Sequence, residues 1–298
     1  MGSTRFGTVL TAMVTPFSPD GSVDLDVAAT LAKFLVEEGT EGIVVAGSTG
    51  EGSALSDDEK LNLFACVAQA VNVPVLAGST FANTAQSVAL TKRVKDTGVA
   101  GVLATTPAYS RPSQRGIAAH FTAIAQCTPL PIMLYDVPSR TGRKVASATT
   151  IDLVRGIANI VALKDASGDL VGAAHVKAVL GEDFDLYSGD DSLVLPFLAI
   201  GAVGVVSVAA HWASLEFSSM VHAVEKGDWL KAQMYNERLA PSYAYENTET
   251  YPNPMPTKAV LRVLGFSVGQ CRLPLGEGDE TLDLAARDVV TSLRAQRG

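Results

Sequence analysis

The sequence predicts a closed (β/α)8 barrel with a small C-terminal helical extension. Three observations lead there. Short β-branched or apolar runs recur eight times, helical patterns separate them, and the turns that follow the runs concentrate glycine, hydroxyl and charged residues. Strands alternating with helices pair in parallel through right-handed crossovers, and eight such units close a barrel; a doubly wound open sheet is the alternative arrangement.

The eight runs are Val9–Thr15, Gly42–Ala46, Pro74–Gly78, Gly101–Thr105, Pro131–Asp136, Ile160–Lys164, Asp185–Ser188 and Gly204–Ser207. In the first intervening helix Asp24 is placed to cap the N-terminus, Val27, Leu31, Phe34 and Leu35 form an apolar stripe, and Gly39 ends it. The second, Ser56 to Val71, puts Leu61, Phe64 and Ala68 on one face and Asp57-Asp58-Glu59 in the first turn, where carboxylates suit the helix dipole. The uncharged stretch from Leu193 to Ala210 is about the length of a membrane span. Pro196, Gly201 and Gly204 punctuate it, so it reads as a short buried helix followed by a barrel strand. After the eighth strand, helical patterns run over Ala213–Glu225, Asp228–Tyr245, Lys258–Leu264 and Thr281–Arg294. The expected division is residues 1–210 as the barrel with the active site and 211–298 as the extension; no linker composition separates them.

Composition narrows the function classes. A length of 298 residues fits one large barrel or two ordinary domains and does not choose between them. Hydrophobic content of 47%, charged content of 18% and a mean hydropathy of +0.23 indicate a well-buried globular chain with apolar surface to spare for subunit contacts. A net charge of -8 and a pI near 5.0 argue against nucleic acid or a membrane surface as partner. An anionic substrate must therefore meet a locally basic pocket. Cys66, Cys127 and Cys271 lack metal-ligand spacing and are too few for a disulfide framework, which suits a reducing cytoplasm. Met1 to Phe17 makes a poor export signal. His120, His175, His211 and His222 show no ligand spacing either, so they are expected on helix faces or loops, and no metal is expected.

The chemistry points to Lys164, a lone cation closing the apolar run Ile160-Val161-Ala162-Leu163 before the turn-like Asp165-Ala166-Ser167-Gly168. Burial penalises an ammonium ion, so a lysine there should be pulled toward neutrality and become a nucleophile. Taken alone, a lysine at a strand end points into solvent. The neighbouring strand ends change that reading, because a barrel gathers the carboxyl ends of its strands at one face. The second run leads into Gly47-Ser48-Thr49-Gly50-Glu51-Gly52, a turn with two hydroxyls and free backbone N–H groups fit for an anion. The fourth leads to Tyr109 and Arg111, and the fifth to Tyr135 and Arg140.

The segments Gly47-Ser48-Thr49-Gly50-Glu51, Tyr135-Asp136-Val137-Pro138-Ser139-Arg140-Thr141-Gly142, Ala162-Leu163-Lys164-Asp165-Ala166-Ser167-Gly168 and Tyr187-Ser188-Gly189-Asp190-Asp191 together resemble the dihydrodipicolinate synthase family. These are class I pyruvate-dependent aldolases and lyases, related to the N-acetylneuraminate lyases. The resemblance runs from about Thr8 to about Pro274, with further matches at Val14-Thr15-Pro16-Phe17, Gly204-Val205-Val206-Ser207-Val208 and Pro252-Asn253-Pro254-Met255-Pro256.

The resemblance implies that Lys164 forms a Schiff base with pyruvate and that Tyr135 relays protons beside it, with Thr49 and Tyr109 extending the hydroxyl chain. It implies that Ser48 and Thr49 hold the pyruvate carboxylate, that Arg140 takes the carboxylate of aspartate semialdehyde, and that Gly189 and the carbonyl of Val206 line the pocket. No cofactor is implied. The tyrosine at the Tyr109 position enters the neighbouring subunit's site in such enzymes, which implies a homo-oligomer, a dimer of dimers. Arg140 favours the synthase over the neuraminate lyases, which lack arginine there. A related pyruvate lyase for a sugar acid or another aldehyde, and a non-catalytic binding homologue, are the alternatives. The regulatory lysine pocket of inhibited members maps to Gly52, Ser53, Asp57, Lys60, Ala82, Gln86 and Ala108, where most of its polar and imidazole character is lost, so feedback by lysine is expected to be weak or absent.

Overall fold

The structure is a computed structural model, and it describes residues 4–295. Its strands are β1 (Val9–Ala12), β2 (Gly42–Val45), β3 (Val75–Gly78), β4 (Gly101–Thr105), β5 (Ile132–Asp136), β6 (Ile160–Asp165), β7 (Asp185–Ser188) and β8 (Gly204–Ser207). They form one closed parallel barrel in chain order, sealed where Leu10 of β1 pairs with Val206 of β8. Side chains alternate with the pleat. Leu10, Val44, Leu76, Leu103, Met133 and Val206 fill the barrel interior, while Ile43, Val45, Ala77, Ala104, Leu134 and Leu163 face the helices. Tyr187 also points inward and donates from its hydroxyl to the carbonyl of Gly7 (2.9 Å), closing the floor. The open sheet is thereby excluded.

Local chemistry sets the element ends. Pro74 and Pro131 have no N–H to give a ladder, so β3 and β5 begin one residue later than the apolar runs suggest. β1 stops at Ala12, short of Thr15, because the following groups turn to other partners. The N–H of Val14 donates to His211 Nε2 (3.1 Å) and the hydroxyl of Thr15 to the carbonyl of Gly50 (2.6 Å). Asp24 caps helix Leu25–Glu37 by accepting from the N–H of Val27, and Gly39, at φ +98°, takes the chain out of it. Ser56 and Glu59 make a reciprocal capping box on helix Asp57–Ala70. That helix buries Lys60, Leu63, Phe64 and Val67 fully, while Leu61 and Ala68, which share the expected face with Phe64, pack against the same core half-buried. A lysine on the buried stripe escapes any apolar count.

Four longer helices end the chain: Ala210–Glu225, Trp229–Tyr245, Met255–Val263 and Glu280–Ala295. The third begins at Met255, three residues before the expected start, since proline is tolerated in a first helical turn and Pro256 occupies it. Helix Ala210–Glu225 packs against β1 and helix Leu25–Glu37 and also against helix Trp229–Tyr245, so the barrel and the extension share it. Trp212, Phe217, Met220, Leu239, Tyr245 and Leu282 form the core between these helices. Its ring polar groups are satisfied: the indole N–H of Trp212 donates to Ser242 Oγ (3.0 Å), and the Tyr245 hydroxyl lies 3.1 Å from the carbonyl of Pro256.

The extension also reaches the barrel mouth. Lys258 and Glu51, each 1% exposed, form an ion pair at 2.7 Å. Lys258 Nζ donates further to the carbonyl of Gln270 (2.9 Å), and Glu51 Oε2 accepts from the N–H of Arg272 (2.8 Å). Removing one member of such a pair strands the other charge in a dry site. Lys258→Met is expected to lower the unfolding free energy by about 3–5 kcal/mol. Denaturant titration checks this, and a loss below about 1 kcal/mol would contradict it.

Candidate active site

Strand register places the central lysine. Lys164 on β6 pairs with Tyr135 on β5 and with Tyr187 on β7, and residues level with one another on parallel strands share a face. All three therefore point into the barrel. Lys164 is 4% exposed, and its Nζ sits 4.4 Å from the centre of the Tyr135 ring. Lys164 makes no ion pair with a carboxylate among the described residues. Its nearest acids in sequence are turned away. Asp136 and Asp165 fall on the outer face, where Asp136 Oδ1 accepts from the N–H of Val145 (3.1 Å) and Asp165 Oδ1 from that of Ser167 (2.8 Å). Burial pushes the Asp136 carboxyl up to about 7 and raises Asp165 as well, so these acids shape the loops after β5 and β6.

The turn after β2 supplies donors. Its bends at Gly47-Gly52 are closed by the N–H of Glu51 to the carbonyl of Ser48 (3.1 Å) and that of Gly52 to Gly47 (3.0 Å). Among the described residues, the backbone N–H groups of Ser48 and Thr49 have no internal acceptor. Ser48 is half-buried and Thr49 buried. Two adjacent free N–H groups and two hydroxyls form a nest for a small carboxylate. Glycine is required at Gly52, where a Cβ would lie 2.1 Å from the carbonyl oxygen of Ala46.

Asn253, which carries no role in the sequence reading, ties two candidate residues together. Its Nδ2 donates to Thr49 Oγ1 (3.0 Å), and its carbonyl lies 3.5 Å from Arg140 Nη2. A threonine oxygen that accepts from Asn253 directs its own hydrogen elsewhere, so Asn253 sets the direction of the Thr49 hydroxyl. Asn253 Oδ1 is buried and unpartnered. The sequence signal was present, since Asn253 lies in the matched Pro252–Pro256 segment, but its side-chain target is 204 residues away.

The remaining expected residues fall as follows. Arg140 is exposed on the short helix Pro138–Thr141 beyond β5. Gly189 follows β7 and is packed against Lys164, and Val206 is fully buried on the inner face of β8. Tyr109 is 98% exposed with φ +68°, so a single chain does not bring it to Thr49 or Tyr135. His211 lies in the first turn of helix Ala210–Glu225, as a helix-face residue, and is wholly buried there. It accepts from the N–H of Val14, donates from Nδ1 to the carbonyl of Val208 (2.7 Å), and is held down to about 4 by burial. No group of three or more His, Cys, Asp or Glu residues is placed to hold a metal among the described residues.

A barrel with a buried, carboxylate-free lysine against a tyrosine at its strand ends is the scaffold of a carbonyl-activating lyase of the class I aldolase type. The chain belongs to the Dihydrodipicolinate synthetase family, whose model matches residues 5–293. It is 44% identical to a 4-hydroxy-tetrahydrodipicolinate synthase of Desulforamulus reducens, with 98% of this chain and 99% of that one covered. The corresponding Bacillus subtilis enzyme is 45% identical over 97% of this chain and 100% of its own. Among solved structures, the dihydrodipicolinate synthase of Cyanidioschyzon merolae with lysine bound superposes with a TM-score of 0.95 at 40% identity, covering 98% of this chain and 99% of that one.

The space around Lys164 is tight on one side. A Cβ at position 189 would meet Lys164 Cγ at 2.9 Å, Lys164 Cε at 3.0 Å and Ala166 Cβ at 2.9 Å. Gly189→Ala is therefore expected to displace the amine and slow turnover by on the order of 10²-fold while the fold persists. Steady-state kinetics with circular dichroism tests this, and unchanged kcat would contradict the placement.

Proposed function

We propose that the chain is a lyase condensing pyruvate with aspartate semialdehyde to 4-hydroxy-tetrahydrodipicolinate, in the route to diaminopimelate and lysine, without a cofactor. The observation that carries this is Lys164, buried at the mouth of the barrel against Tyr135 with no carboxylate paired to it among the described residues. Its amine nitrogen adds to the keto carbon of pyruvate and expels water to give an iminium. Loss of a methyl proton yields an enamine, which adds through carbon to the aldehyde. The amine of the second substrate then attacks the iminium carbon, closes the ring and releases Lys164.

Tyr135 serves as the proton carrier beside the imine, with Thr49 behind it. The Ser48–Thr49 nest takes the pyruvate carboxylate, and Arg140 takes that of the semialdehyde through its planar fork. Gly189 and the carbonyl of Val206 bound the pocket. Tyr109, exposed on a left-handed backbone, completes the relay of a neighbouring subunit, so the working form is a homo-oligomer, a dimer of dimers, in the cytoplasm. No helix among the described residues is long and apolar enough to cross a membrane. Residues 1–210 carry the chemistry and 211–298 brace it.

Feedback by lysine is proposed to be weak or absent. Lys60, among the positions of the regulatory pocket, puts a buried amine 3.9 Å from the centre of the Phe81 ring, where desolvation pulls it down to about 8. A cationic effector would meet an amine there in place of an acceptor. Initial rates should fall less than twofold at low millimolar lysine; strong inhibition there would count against this assignment.

Adding pyruvate and then borohydride should attach a reduced adduct to Lys164, and Lys164→Arg should keep the charge yet lose the adduct. An adduct mapped to another residue would sink the mechanism. Turnover of a sugar acid in preference to aspartate semialdehyde would assign the site to a sister lyase.

A further inference from the structure

The mechanism leaves two buried acids unused. Asp191 opens the single 3-10 turn that follows β7, and Glu246 ends helix Trp229–Tyr245. Asp191 Oδ2 accepts three hydrogen bonds, from Ser207 Oγ (2.8 Å) and the N–H groups of Val208 (3.1 Å) and Ala209 (2.7 Å). Its other oxygen, Oδ1, and Glu246 Oε2 are both buried and find no N–H or hydroxyl donor. The two carboxyl groups are in hydrogen-bonding contact with each other. Two carboxylate oxygens are acceptors alone, so they meet favourably when a proton lies between them. Three donors act on Asp191 against the single Ala209 N–H that also faces Glu246, which leaves the proton on Glu246. The other titratable groups facing the pair, Asp190 and the Tyr243 phenol, bring no positive charge. Nearby His211 is kept neutral by burial.

Glu246 begins the strap that delivers Asn253. Asn247 Oδ1 accepts from the N–H of Asn253 (3.0 Å), and Thr248 Oγ1 accepts from the N–H of Tyr251 (3.0 Å). The Tyr251 hydroxyl donates to the Asp279 carboxylate at 2.8 Å. The strap is thus a closed turn with its first residue fixed to the barrel rim and its last functional residue on Thr49 and beside Arg140.

We propose that one proton shared by Asp191 and Glu246 locks the 246–253 strap to the ends of β7 and β8 and thereby positions Asn253, Thr49 and Arg140. Both acids are positioning residues. Their effect on turnover rests on the condensing reaction proposed above; the shared proton does not. Above the ordinary glutamate value of 4.5 the unfolded chain has lost this proton while the folded chain keeps it. The folded state then binds more protons, so this group makes stability fall as pH rises.

The test is infrared spectroscopy of the full chain near neutral pH, in difference against Glu246→Gln and Asp191→Asn. One protonated-carboxyl carbonyl band should be lost in either variant, since each amide donates in place of the shared proton, while any contribution from Asp136, which burial pushes up to about 7, stays in both and cancels in the difference. A difference spectrum with no lost carboxylic-acid band in either variant overturns the proposal. Glu246→Gln should keep kcat and KM within about twofold and flatten the alkaline decline in stability, whereas Glu246→Ala should lower kcat by on the order of 10²-fold with a smaller change in the KM for pyruvate. Full kcat in Glu246→Ala overturns the positioning role. If Glu246→Ala does not fold, Asp191→Ala takes its place, and full kcat there overturns the positioning role instead. Absence of turnover in the unaltered protein would strike the condensing reaction and leave the infrared result standing.

Discussion

The buried ion pair of Glu51 and Lys258 is the constraint on which the site depends. It joins the turn that offers Ser48 and Thr49 to the helical extension, two parts of the chain that local sequence would never bring together. Desolvating two charges is costly, and the pair tolerates it because each ion has further partners: Gln270 and the Phe17 ring for Lys258, the N–H of Arg272 for Glu51. Arg272 continues the network to Glu59 in the first turn of the second helix. The same turn holds Glu51 at φ +52° and Ala46 at φ +53°, conformations that L-residues adopt when their surroundings over-determine them. The ion pair is part of that surrounding.

Three buried lysines show how environment divides one side chain among three roles. Lys258 is neutralised by a carboxylate, Lys60 rests on the Phe81 ring, and Lys164 rests on the Tyr135 ring inside the barrel. A structural lysine can keep its charge when its counter-ion is buried with it. Lys164, the proposed nucleophile, has no such partner among the described residues. Keeping Asp136 and Asp165 on the outer face, one residue along from Tyr135 and Lys164, is therefore a consequence of strand pleat with direct chemical effect.

The barrel and the extension contribute different things. Strand ends supply the reactive groups, since a closed parallel sheet converges them at one face. The extension supplies orientation, through Asn253 on Thr49, Glu246 on Asp191 and Lys258 on Glu51. The segment Thr248–Tyr251 carries no chemistry of its own; its turn sets the direction in which Asn253 enters.

The repeating apolar runs, the capping residues Asp24 and Ser56 and the strand-end motifs were legible in the sequence because each is a local pattern, recognisable within a few residues. Eight strands, their order and the position of Lys164 at a strand end follow from that alone. Tertiary structure decided the rest: which lysines are buried and with whom, that Lys60 is fully buried beside Leu63 and Phe64, that His211 links the chain after β1 to the chain after β8, and that Asn253 orients Thr49. Those outcomes depend on contacts between residues up to some two hundred positions apart, and burial is a property of the closed fold, so no local pattern can encode them.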